Sequence, residues 1–319
     1  MGYTFSKKMR PVKKAIPGGV LGAALLMHLR RYLDKKEPEL VYWLVQTWNT
    51  QSRAITYKEL REAILAGDIN WDLLQEWQQD YTAFVAAHLY PAWVDAMEAA
   101  TKDMQRKYPG WRFDPYADGV RQWTETRSAS FVTEVTNTQI EGLRAVVWRA
   151  ANLENMTVDQ LARAIRPMVG LTHPQAVANM RYFERLIANG MSEQRAHDLS
   201  IRYAARQHRY RGYNIARTEL AFAYNQGSYQ GTKQAQAKGY MGETVKIWCT
   251  AEDERVCEIC GGLEGKTIGI DEEFNFSTRI ATPANPTIKL VPPAHPSCRC
   301  AVMYKEIAPP INPATITTT

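Results

Sequence analysis

Apolar positions follow a helical rhythm through most of the chain and a strand rhythm only after Gly239. Val158, Leu161 and Ile165 recur at i, i+3 and i+7, and Ala176, Met180, Phe183 and Ile187 at i, i+4, i+7 and i+11. Each set lies along one side of a 3.6-residue helix, so each predicts one buried face. Local start signals agree with the periodicity. Thr157 stands three residues before Gln160, and Thr172 three before Gln175. Both pairs suit a capping box, in which each side chain bonds the other residue's backbone. Gly190 followed by Ser192 marks one helix ending and another beginning. The chain from Val20 to Gly239 is therefore predicted to be mostly helical. In TVKIWCT the rhythm becomes alternation, with Val245, Ile247 and Cys249 on one face and Lys246, Trp248 and Thr250 on the other, as in a strand. The expected fold class is α+β: a predominantly helical N-terminal region followed by a small mixed α/β module rich in cysteine and histidine.

This pattern divides the chain into an arm at 1–19, a helical region at 20–191, a Cys/His-bearing domain at 192–305 and a Pro/Thr-rich flexible tail at 306–319. The arm carries Lys7, Lys8, Arg10, Lys13 and Lys14 without an acid, and Pro11, Pro17, Gly18 and Gly19 oppose a helix there. It reads as flexible, either a solubilising terminus or a docking arm. The tryptophans and tyrosines between Trp43 and Trp148 are expected in the core and at helix contacts. A chain of 319 residues can bury a core without cysteine staples. GGVLGAALLMHL is too short to span a bilayer and is flanked by basic residues, so no membrane partner is expected. It is not followed by a signal-peptide cleavage pattern. The net charge of +6 permits an acidic partner without specifying one.

All five cysteines lie between Cys249 and Cys300. An odd number excludes full pairing within a monomer, and a reduced, intracellular chain is expected. Cys257-x-x-Cys260 lets two thiolates reach one ion from a tight turn, with Gly261 allowing the backbone to aim N–H groups at sulfur. His295-x-x-Cys298 has the same gap and is stiffened by Pro296. Together they suit a closed structural zinc site of Cys257, Cys260, His295 and Cys298. Cys300 is the rival fourth ligand, because in a strand through CRCAVMY it faces the same way as Cys298. A disulfide between the two half-sites is the alternative to a metal. Cys249 shares a strand face with Val245 and Ile247 and is read as a core cysteine.

The stretch IRYAARQHRYRGYNIARTELAFAYNQG holds Arg202, Arg206, Arg209, Arg211 and Arg217 before its first acid, Glu219. Arg202, Arg206 and Arg209 share a helical face with Tyr203, Tyr210 and Tyr213 interleaved. That composition suits phosphates, and Arg202, Arg206, Arg209 and Arg211 are the candidate contacts to DNA or an acidic partner. It equally suits a solvated face. The following segment is rich in amides, and Ala223, Gly227 and Gly231 form a small-residue strip fit for close packing, either in assembly or within the chain.

IARTELAFAYNQG, IWCTAEDERVCEICGGLEGK and PPAHPSCRC, in that order, resemble the phage Mu protein F-like family of minor head, or head-morphogenesis, proteins of tailed phages. The resemblance runs roughly from Ser192 to Tyr304, so 192–305 reads as the head-morphogenesis domain. Its pattern falls on Arg217, Glu219, Trp248, Asp253, Arg255, Cys257, Cys260, His295, Cys298, Arg299 and Cys300. The resemblance implies a virion component found with portal and capsid or scaffold protein, in multiple copies in the phage head, assembled in the host bacterial cytoplasm and in some cases travelling with the DNA. It does not itself imply zinc, which rests on the ligand spacing. Some relatives carry a toxin or ADP-ribosyltransferase domain after the closing motif, whereas here only a short tail follows Tyr304. The expectation is a structural protein and not an enzyme. A DNA-binding virion protein is the alternative. A metal-dependent nuclease is the weaker one, since such sites use a second histidine, and His28, His88, His173, His197 and His208 are scattered through the helical part.

Overall fold

The computed structural model describes residues 22–69, 72–153, 156–251, 253, 255–276 and 290–310, with 72–74 as backbone only. The basic arm expected at 1–19 lies outside the described residues, as does the tail from 311 onward. The helices are α1 (Ala23–Ala54), α2 (Tyr57–Ala66), α3 (Asp72–Phe84), α4 (Tyr90–Lys107), α5 (Asp118–Ala151), α6 (Val158–Ile165), α7 (His173–Ala188), α8 (Glu193–Ala237) and the one-turn α9 (Glu258–Gly261). A π-helical turn, Val85–Leu89, joins α3 to α4. The strands are β1 (Thr244–Cys249), β2 (Thr267–Gly269) and β3 (Ala301–Glu306).

The local signals operate where the sequence put them. Gln160 N donates to Thr157 Oγ1 at 3.3 Å and Thr157 N donates to Gln160 Oε1 at 2.8 Å, so α6 starts with a complete capping box. At α7, Thr172 N donates to Gln175 Oε1 at 3.2 Å. Gly190 turns the chain between α7 and α8 with φ of 79°, a conformation that penalises any residue with a Cβ.

Helix α8 is the axis of the molecule. Its 45 residues extend about 68 Å at 1.5 Å per residue. From Leu220 to Ser228 every residue is buried, so this stretch is enclosed on all sides and has no single apolar stripe. α1 covers one side, where Gly212 meets Val41. α4 covers another, where a Cβ on Gly227 would lie 2.3 Å from Met97 Cα. The strip of Ala223, Gly227 and Gly231 is thus a contact within the chain, and its glycines let two helix backbones approach closely. Around this axis Trp48, Trp93, Trp123, Phe131, Phe183 and Phe222 join one core. Trp43 and Trp148 depart from the expected burial, at 37% and 65% exposed.

The three strands form an antiparallel sheet in the order β2-β1-β3. In the central strand the predicted alternation becomes a division between two cores. Cys249 packs into the helical core, while Trp248 enters a separate cluster with Cys260, Leu263, Phe274, Cys298 and Cys300.

Within the helical core His208 is a buried titratable group. Its Nε2 lies 2.8 Å from Val169 O, and its ring stacks on Trp48 at 5.5 Å. Burial lowers its pKa to about 4, and the neighbouring Arg211 guanidinium acts in the same direction. The unfolded chain therefore binds a proton as pH falls below about 6.5 while the folded chain does not. Stability is expected to decline between about pH 6.5 and pH 4, by roughly 2–4 kcal/mol from this group at about 1.4 kcal/mol per unit. His208→Gln should flatten that part of the curve, as measured by urea unfolding across the interval.

Candidate metal centre

The centre is built on three consecutive residues of α8. Successive helical side chains diverge by about 100°, so Arg217, Thr218 and Glu219 reach three different elements. Arg217 donates twice to Glu37 of α1, Nε to Oε1 at 2.6 Å and Nη2 to Oε2 at 2.7 Å, and Glu37 is only 3% exposed. Glu219 accepts from Arg127 of α5, with Nε to Oε2 at 2.9 Å and a second bond from Nη2 to Oε1. Thr218 Oγ1 accepts from Ser297 N at 2.9 Å, one turn from Asn214, whose Oδ1 accepts from Ser297 Oγ at 3.0 Å. Further along α8, Asn225 Nδ2 donates to Cys300 O at 3.3 Å and its Oδ1 accepts from Val302 N at 3.1 Å. The helix thereby holds the His295–Val302 segment at both ends.

The first half-site lies at the start of α9. Cys257 is its N-cap, and Cys260 N donates to Cys257 Sγ at 3.4 Å. The N–H aimed at sulfur is thus that of Cys260, while Gly261 N donates to Cys257 O at 2.8 Å. In the second half-site Cys298 N donates to His295 O at 3.1 Å, closing a tight turn over Ser297, whose φ of 59° is in the left-handed region. Both cysteines of CRC precede β3 rather than lying in it.

These turns bring five side chains together in two interlocking triads, Cys257–Cys260–His295 and Cys260–Cys298–Cys300, with the ligand atoms of each within 4.8 Å of one another. His295 Nε2 lies 3.2 Å from Cys257 Sγ and 3.3 Å from Cys260 Sγ. Cys260 Sγ and Cys298 Sγ are 3.7 Å apart. A tetrahedral zinc site has S···S and S···N edges of roughly 3.8 and 3.6 Å, so the spacing suits an ion with little movement. His295 Nδ1 is 2.9 Å from Pro296 O. A proton on Nδ1 donated to that carbonyl leaves the Nε2 lone pair facing both sulfurs, the tautomer a metal requires. It also leaves neither ring nitrogen for a substrate. Hydrogen bonds from Cys260 and Cys300 hold the Cys298 thiol below its usual range; the bond to Cys298 raises Cys260, and bonds to Cys260 first and then Cys298 raise Cys300. All five cysteines carry free thiols, and Cys249 is buried away from the triads. Among the described residues, no other histidine joins a metal-ready group.

The surrounding motif residues are positional. Arg299 donates to Asp253 through Nη1 at 2.7 Å and Nη2 at 2.6 Å. Arg255 Nη2 adds a bond to Asp253 at 3.1 Å. The Arg299 guanidinium, with Arg255, holds the Asp253 carboxyl well below the usual carboxylate range. Trp248 is fully buried against Phe274 and Phe276. Its neighbour Lys246 is buried as well; Nζ donates to Leu290 O at 2.9 Å, and burial lowers the ammonium pKa to about 8.

The basic stretch separates into two environments. Arg202, Arg206 and Arg209 are exposed. Arg211, grouped with them by sequence, is instead buried. It donates through Nη1 to Gly170 O at 2.5 Å and through Nη2 to Thr138 Oγ1 at 2.7 Å, and its guanidinium lies 5.1 Å from the Trp48 ring. It sits two residues after Arg209 and so points about 200° away, into the core. Sequence reasoning missed Asn214, Thr218 and Asn225 as supports of the site, and Glu37 and Arg127 as ion-pair partners. The amides among small residues were the available signal for Asn225. Nothing local pointed to Glu37, 180 residues from Arg217.

Residues 156–303 match the family described as phage Mu protein F like protein. The match begins just before α6, so it takes in α6 and α7 as well as α8 and both half-sites. No curated protein and no solved structure matches the chain.

Proposed function

We propose that this chain, similar over residues 156–303 to the phage Mu protein F like family, is a minor head protein of a tailed phage that binds portal and major capsid or scaffold protein during head assembly. The family match carries the reading, since it covers the Arg-Thr-Glu helix and both Cys/His half-sites together. The chain acts structurally, inside the head or near the portal vertex, with helices as contact surfaces and the module as a rigid end piece. No helix among the described residues is long and apolar enough to cross a membrane. The direct experiment is complementation of a phage lacking the chain. The protein is expected in purified heads, and co-purified with portal protein when the two are co-expressed. Heads of normal yield and infectivity without it would overturn the assignment.

The module's ion is proposed to be one structural Zn²⁺ held by Cys257, Cys260, His295 and Cys298, with Cys300 hydrogen-bonded to the Cys298 thiolate. A closed four-ligand set supplies cross-linking rather than Lewis-acid chemistry. Protein purified without added metal is expected to contain about one zinc per chain. Co²⁺ exchange should give thiolate charge-transfer and tetrahedral d–d bands, retained in Cys300→Ser and lost in Cys298→Ser. Metal-free protein with two thiols oxidised would replace the ion with a disulfide.

A second reading, contact with packaged DNA, is favoured by a separate observation. Arg195, Arg202, Arg206 and Arg209 are exposed and recur at i, i+7, i+11 and i+14 along α8. Among the described residues none of them has an ion-pair partner. Arg195 adds a member that the sequence analysis omitted. The stripe extends about 21 Å and would meet phosphates rather than bases. Four neutralised phosphates predict a log–log salt slope of about −3.6 for duplex binding, roughly halved when Arg202 and Arg206 become Gln. Salt-independent binding, or an unchanged slope, would remove this reading.

A further inference from the structure

The outer face of the α7–α8 hairpin carries exposed aromatic rings beside its arginines. At about 100° per residue, Arg195, Arg202, Arg206 and Arg209 fall within about 60° of one another around α8. Tyr213 lies within that stripe, and Tyr203 and Tyr210 lie on one edge of it. That edge is the one beside α7. Tyr203 meets Tyr182 of α7 with ring centroids 5.2 Å apart, and Gln207, one step nearer the core, donates to Gln175 O at 3.1 Å. Arg206 stands over the Tyr203 ring at 5.7 Å. Across this seam Arg181 and Arg185 of α7 are exposed as well. Tyr210 is 62% exposed and Tyr213 44%.

The acids of the hairpin do not offset these cations. Glu184 is taken by Arg149, and Glu193 by Gln160 and Arg163. Asp198 is bonded to Gln194 at 3.1 Å and lies on the edge of the arginine stripe away from the tyrosines. Among the described residues none of the six arginines has an ion-pair partner. Cations alone would serve any phosphate backbone, but the rings ask for more. An exposed tyrosine face is an apolar surface that a phosphate does not cover and a base does, by stacking. A duplex keeps its base faces inside its own stack. Only an unpaired strand presents phosphates and base faces to the same surface. From Arg195 to Tyr213 the face runs about 27 Å, room for about four nucleotides of extended strand, the low end of single-strand sites.

We propose that this face binds a single-stranded polynucleotide, with the arginines on its phosphates and Tyr203, Tyr210 and Tyr213 stacking on its bases. This rests on reading the α8 arginines as a nucleic-acid contact, and it names the form of strand they take. The full chain would be titrated with fluorescent oligothymidylate and oligouridylate of about 20 nucleotides, a duplex of the same length, and an abasic strand that keeps the phosphates and lacks the bases. Oligothymidylate or oligouridylate is expected to bind at least about tenfold tighter than the duplex or the abasic strand at equal salt. Their ratio tells DNA from RNA as the source. Tyr210→Ala with Tyr213→Ala should lower the single-strand-to-duplex ratio by about tenfold, and Tyr210→Phe with Tyr213→Phe should keep it. Iodouracil in the strand should photo-cross-link to Tyr203, Tyr210 or Tyr213. A duplex or abasic strand that binds as tightly as oligothymidylate and oligouridylate, an alanine pair that leaves the ratio unchanged, or cross-links confined to other segments would overturn the proposal while leaving the arginine contact to DNA intact. Salt-independent binding, or none to any strand, would remove both.

Discussion

The 100° step between neighbouring helical residues is the constraint on which the rest of this molecule depends. At Arg217, Thr218 and Glu219 that step turns a tripeptide into a three-way junction, to α1 through Glu37, to the Ser297 turn, and to α5 through Arg127. Two of the contacts are ion pairs: Arg127–Glu219 is desolvated on both sides, and Arg217–Glu37 is desolvated on the Glu37 side, with the Arg217 side chain 34% exposed. Such pairs contribute little net stability against an apolar replacement, yet losing one partner costs several kcal/mol, so they enforce one register of α1 and α5 on α8. The Arg-Thr-Glu signature is therefore intelligible as geometry before any partner is considered.

The Cys/His cluster is the outer end of the same arrangement. Its side chains come from two segments nearly forty residues apart, and protein contacts hold each segment without an ion. Asn214, Thr218 and Asn225 fix the second segment to α8, β1 pairs with β3, and Asp253–Arg299 ties the loop ahead of Cys257 to CRC. The helical body has its own extensive core. An ion here would close and stiffen the module rather than fold the whole chain, unlike a small zinc finger whose core is too slight to fold without metal.

The helix also sorts its polar residues by side. Arg202, Arg206 and Arg209 meet solvent, while Arg211 is enclosed with Gly170, Thr138 and Trp48. The buried amides do comparable work. Asn225 supplies both a donor and an acceptor to the backbone beside β3, standing in for a neighbouring strand. Most polar groups at such depth have a partner; Arg127 Nη1 and Gln226 Oε1 are among the buried atoms that have none.

What the sequence by itself determined was whatever depends on neighbours within a turn or two. The capping boxes at Thr157 and Thr172, the buried faces of α6 and α7, the alternation of β1 and the paired ligand gaps are all set by spacings of two to four residues, and such spacings are written directly in the chain. What only the tertiary structure decided was which side of an element faces what. That α8 is enclosed from Leu220 to Ser228, that Arg211 turns inward, that Glu37 meets Arg217 and that His295 and Cys300 each join a triad through Cys260 all depend on elements distant in sequence. The physical reason is that a periodic pattern defines angles around an element, and only the packing of other elements assigns each angle to core, partner or water.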